Sequence, residues 1–131
     1  MLSYLFLGAN DMSASARFYE AILFPFGYIK EPFKDKLIFS LPGVPDRQNG
    51  PGAIYISPPF DGKPATPGNG MMPALRAKTR RQVDEVYQAG LQAGGTDDGQ
   101  PGIRTEYSEN FYVAYLRDPV GTKIALFCND E

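Results

Sequence analysis

Apolar residues recur along the chain in two rhythms. "LSYLFL" (2–7) is a run of β-forming side chains that ends at Gly8 and predicts a strand. From Met12 the spacing changes. Ala14, Phe18, Ala21, Ile22 and Pro25 follow helical spacing, Asp11 stands at the N-cap position, and Pro25 with Gly27 stops the run. Short strands are expected at 28–30, 36–41 and 53–57, with Gly/Pro-rich turns between them.

The segment "PPFDGKPATPGNG" (58–70) holds four Pro and three Gly, so it reads as a linker. Beyond it the first rhythm returns. "MMPALRA" (71–77) predicts a strand, Thr79 caps a helix, and Val83, Val86, Tyr87, Gly90, Leu91 and Gly94 form its buried stripe. Strands are expected at 103–107, 110–117 and 122–128, the last two joined by the tight turn "DPVG". The order is β-α-β-β-β twice. A shift of 68 residues places Leu7 on Leu75, Tyr19 on Tyr87, Ala21 on Ala89, Leu23 on Leu91 and Gly27 on Gly95. The caps Asp11 and Thr79 coincide as well. Two copies are too few for a solenoid, so they read as paired units of one domain.

A lone unit would carry its helix on one sheet face and leave the other face unpartnered. Two units together predict an α+β fold, a half-closed eight-stranded barrel-like sheet with a cleft, and paired units favour ligand sites in such clefts. The expected organisation is a single domain over 1–131, with module one at about 1–58, the linker at about 58–70 and module two at about 71–131. A chain of 131 residues buries a core without disulfides or structural metal.

Composition narrows the chemistry. Thirteen basic and 15 acidic residues give a net charge of −2, which argues against nucleic acid and anionic membranes as partners. The run at 1–7 lacks the basic flank of a secretory signal, and no stretch reaches membrane-spanning length. One cysteine, Cys128, excludes an intramolecular disulfide and fits a cytoplasmic location. The absence of histidine removes Ser–His–Asp and Cys–His catalysis from the chain's own repertoire.

Four stretches, "LSYLFLGANDMSASARFYEAIL", "PATPGNG", "AGLQAGGTDDGQPG" and "YVAYLRDPVGTKIALFC", together resemble the vicinal oxygen chelate superfamily of glyoxalase I, bleomycin-resistance proteins and extradiol dioxygenases. The resemblance covers essentially the whole chain and is nearest to the small bacterial glyoxalase/bleomycin-resistance-like proteins. It implies paired βαβββ modules, usually in a homodimer, and in metal-using members a divalent ion held by His and Glu from the first and last strands of each module. At the matching positions this chain has Tyr4, Tyr55, Met72 and Ala125. These offer no carboxylate and no imidazole, so no metal and no cofactor is expected.

Period-2 alternation sets Tyr4 with Phe6, Met72 with Arg76, and Ala125 with Lys123 and Phe127. The expected ligand-binding set is therefore Tyr4, Phe6, Tyr55, Met72, Arg76, Ala125 and Phe127, suited to a small aromatic or anionic molecule. The same side chains could instead fill the cleft as core. Glu106, between Arg104 and Tyr107, is the candidate general base if the chain is a lyase, isomerase or dioxygenase-type enzyme. "RAKTRR" (76–81) sets four cations at a helix start, where they oppose the macrodipole; it reads as a solvated face or an anion contact. A metal-independent small-molecule binder is the leading reading, and an interaction fold with a closed cleft is the third.

Overall fold

In the computed structural model, residues 1–130 are described. Strand β1 (Tyr4–Gly8) leads into helix α1 (Met12–Leu23), followed by β2 (Ile29–Phe33), β3 (Lys36–Ser40) and β4 (Ala53–Ser57). The second module repeats the order with β5 (Ala74–Arg76), α2 (Arg80–Gln92), β6 (Thr96–Ile103), β7 (Tyr112–Arg117) and β8 (Lys123–Cys128). Each module forms a four-stranded sheet, β1-β4-β3-β2 and β5-β8-β7-β6, and no closed barrel results. The first strand pairs in parallel with the last in both, and the remaining pairs are antiparallel.

Local signals account for the helices. Asp11 accepts from the Ala14 amide at 3.1 Å and Thr79 Oγ1 from the Gln82 amide at 3.0 Å, so each side chain satisfies a donor left free by the first turn. After α1 the chain tightens into a 3-10 turn at Phe24–Phe26 and stops at Gly27, whose φ of 90° is open to a residue without Cβ. The matching left-handed residue after α2 is Gly94, φ 98°, one place before the glycine that the repeat aligns. Gly95 answers a different need. A Cβ there would lie 2.4 Å from the Phe18 ring.

Several strand boundaries differ from the sequence reading: β2 runs on to Phe33, and small shifts occur at the ends of β3, β7 and β8. Strand β5 starts only at Ala74, because Pro73 has no amide to give to a ladder and biases the residue before it; Met72 lies outside the strand. The sixth strand is Thr96–Ile103, almost wholly ahead of the strand expected at 103–107, which is mainly a turn. As an edge strand, β6 tolerates Pro101, and its pairing with β7 shifts register around Gly99 and between Gly99 and Gly102. Gly99 lies against the Tyr115 ring, where a Cβ would come within 2.7 Å.

Helices α1 and α2 pack on each other, and one apolar cluster runs through both modules. Phe18, Ile22, Leu23, Phe39, Ile56, Val83, Leu116 and Leu126 are fully buried in it. Gly90 lets the helices approach: a Cβ would stand 3.0 Å from Ile22 and 2.6 Å from Leu116. The linker is held across the end of β1, with Asn10 Oδ1 accepting from the Ala65 amide at 2.7 Å and Asn10 Nδ2 donating to the Ala65 carbonyl at 3.1 Å. No helix among the described residues is long and apolar enough to cross a membrane.

Candidate functional site

The sheet faces turned away from the helix-side core carry the expected site residues in two groups. On the first sheet, Tyr4 and Tyr55 rings lie 4.9 Å apart, and Phe6 stacks on Tyr55 at 6.4 Å and 19°. Their shared face follows from the register, which aligns Phe6 with Tyr55 and places Tyr4 beside Ala53. A lip at 46–50 closes over one side. There Asn49 Oδ1 accepts from Tyr55 at 3.0 Å, the Asn49 carbonyl accepts from Ser3 at 2.7 Å, and Arg47 pairs with Glu31 at 2.7 Å. Burial raises the pKa of Tyr55, and the neighbouring Tyr4 adds to the rise, so its phenol stays protonated.

On the second sheet Arg76 lies over the Phe127 ring at 5.8 Å, and Phe127 meets Phe111 at 5.6 Å. Tyr107 stands edge-on to Phe111 at 5.8 Å. Lys123 covers Tyr115 at 4.6 Å and shares Asp98 with Arg117, at 3.4 and 3.2 Å. Burial raises the pKa of Tyr115; the charges of Tyr107 and Glu106 act the same way, against Arg104. Ala125, at 2% exposure between Ala74 and Tyr115, forms floor rather than contact surface.

The expected residues thus form Tyr4/Phe6/Tyr55 on one sheet and Arg76/Ala125/Phe127 on the other. Among the described residues no aromatic pair joins the groups. Met72 belongs to neither and is 44% exposed. Glu106 is exposed on the turn that joins β6 to β7. Phe111, Tyr115 and Asn49 were not in the expected set. Alternation along the expected strand 110–117 would have found both Phe111 and Tyr115, whereas Asn49 reaches the first face from a loop and carries no periodic signal.

The donor chemistry does not fit the ion used by metal-binding relatives of this fold. The four matching positions supply only two phenols, a thioether outside β5 and a buried methyl group, and none of these is a carboxylate or an imidazole. Among the described residues no three His, Cys, Asp or Glu side chains gather closely enough to hold a metal ion.

Paired βαβββ modules with these strand orders define the vicinal oxygen chelate fold. The chain is similar to a glyoxalase/bleomycin resistance protein from Albidiferax ferrireducens T118, at 34% identity and a TM-score of 0.81 over 96% of each chain. On these grounds it belongs to the glyoxalase/bleomycin resistance protein family. A glyoxalase/bleomycin resistance protein/dioxygenase family enzyme from Burkholderia phytofirmans PsJN shares the fold at 18% identity and a TM-score of 0.72 over 98% of each chain. So does a glyoxalase-related enzyme from Fulvimarina pelagi, at 19% identity and 0.73, over 98% of this chain and 87% of the other. No protein-family model matches the sequence, and no curated protein does.

Proposed function

We propose that the chain binds a small aromatic or anionic organic molecule without a resident metal, using ring stacking where relatives use chelation. The observation that carries this is the run of Tyr4, Tyr55 and Phe6 rings on an outward face, with Tyr4 46% and Phe6 44% exposed. A soluble domain rarely leaves such side chains grouped in water without a use for them. Arg76 on Phe127 and Lys123 on Tyr115 supply cations for an anionic group on the second sheet.

The protein acts as a homodimer in this reading, in which the two aromatic faces are completed by a second copy. Exposed Leu2, Met71, Met72 and Phe60 support an apolar contact of that kind. A cytoplasmic location goes with it, since the one thiol, Cys128, is buried and free.

The test is calorimetric titration with aromatic carboxylates, in chelator and again with Ni, Zn, Mn or Fe added. Binding that persists in chelator and falls in Tyr55→Ala supports the proposal. Stoichiometric metal uptake, or ligand binding only with metal, overturns it. The enzyme reading rests on Glu106, whose charge reaches Tyr115, and requires a turnover that Glu106→Gln abolishes.

A further inference from the structure

A cavity of about 340 Å³ opens where the modules meet. Module one supplies Phe26, Tyr28 and Leu41 to it, and module two supplies Leu75, Lys78 and Gln82, with Arg76 beside them. Its volume lies at the small end of ligand pockets. The walls are tied together across the seam. Gln82 Nε2 donates to the Pro25 carbonyl at 3.1 Å while its Oε1 accepts from the Lys78 amide at 2.8 Å. Tyr28 donates to the Gly52 carbonyl at 2.5 Å, so that ring is fixed too.

The charge of this lining is one-sided. Arg76 and Lys78 are its ionised residues, and no carboxylate lines it. Among the described residues neither cation has an acidic partner, a state they share with Arg17, Lys34, Lys63, Arg80 and Arg104, but these two alone border this hollow. Part of the "RAKTRR" run therefore borders a built apolar hollow rather than open solvent alone.

We infer that this seam cavity is a second ligand site, taking a small organic carboxylate whose compact apolar body rests on Phe26, Tyr28, Leu41 and Leu75. The carboxylate is held by Lys78, with Arg76 adding to the local positive potential. This site borders the Phe127 face at Arg76, which lies over that ring, but shares no other lining residue with the Tyr55 and Phe127 faces and stands whether or not they bind anything. An occupant touches both modules, so it also stabilises their packing by mass action.

The experiment uses benzoate and its neutral analogue benzamide as probes, followed by amide chemical shifts of the full chain. Saturable benzoate shifts centred on Tyr28, Leu41, Leu75, Lys78 and Gln82 are expected, with benzamide weaker. Lys78→Gln is expected to weaken benzoate about tenfold, the scale of one charge-assisted contact. Leu41→Trp, which plugs the hollow and leaves the charges, is expected to abolish the shifts. Shifts confined to Tyr55, Phe127 and Tyr115 would overturn the inference while favouring the sheet-face proposal. Absence of saturation, equal binding of benzamide, or unchanged affinity in both variants would overturn it outright.

Discussion

The hydroxyl of Tyr19 donates to Asp118 Oδ2 at 2.5 Å, joining the first helix to the β7–β8 turn across 99 residues of sequence. Both residues are buried, at 2% and 4% exposure. Asp118 Oδ1 meanwhile accepts from the amides of Val120, Gly121 and Thr122 at 2.9, 3.0 and 2.9 Å, so one carboxylate both shapes a turn and fastens the modules. Tyr19→Phe leaves Oδ2 without its donor in a buried place. The expected loss is about 1.5–3 kcal/mol in urea unfolding, and more for Asp118→Ala, which also opens the turn. A double-mutant cycle should show strong coupling between the two.

Gly90 tests the helix contact. Alanine improves helix propensity by about 1 kcal/mol, yet its methyl would meet Leu116 at 2.6 Å and Ile22 at 3.0 Å in a closed core. Overpacking costs about 1–3 kcal/mol. A net destabilisation of Gly90→Ala is expected in thermal unfolding; a raised melting temperature would mean that the helices are free to separate.

Asn10 makes two hydrogen bonds to Ala65 and so holds the Pro/Gly-rich linker down. Asn10→Ala removes both. A stability loss of about 1–2 kcal/mol is expected, with faster amide exchange concentrated at 59–66. Uniform exchange across the chain would count against a local clasp.

Alkaline pH probes the buried phenols. Burial, with help from Asp97, pushes the pKa of Tyr87 up to about 12, and Tyr19 is raised well above its ordinary value by burial and by Asp118. A raised folded pKa means that the fold favours the neutral phenol. Its contribution is complete below the ordinary value of 10.0 and is lost as pH climbs from there to about 12. Urea midpoints should fall steeply above about pH 10, with a shallower fall in Tyr87→Phe.

Much of the fold was legible because its signals are local. Asp11 and Thr79 cap the helices that their positions predict, and "AIYIS" is a strand with the expected bounds. The β6 strand was not legible, since "TDDGQPG" carries turn residues and holds its place as a sheet edge only because β7 supplies the partner. The set of residues on the outward sheet faces was legible in part. Alternation sorted Tyr4 with Phe6 and Ala125 with Phe127, but it could not bring in Asn49, which reaches Tyr55 from a loop.

By itself the sequence determined a doubled βαβββ unit, its caps, its two apolar rhythms and a chain without a single imidazole. Spacing and residue chemistry carry that information within a few turns of chain. Only the tertiary structure decided where the repeated tyrosines bond. Tyr19 reaches Asp118 in the other module, while Tyr87, its copy, reaches Asp97 in its own at 2.8 Å. It also decided that the aromatic groups occupy separate sheets and that a cationic hollow lies along the seam. The physical reason is that partners this far apart in the chain are selected by how the helices pack, and a local pattern holds no record of that.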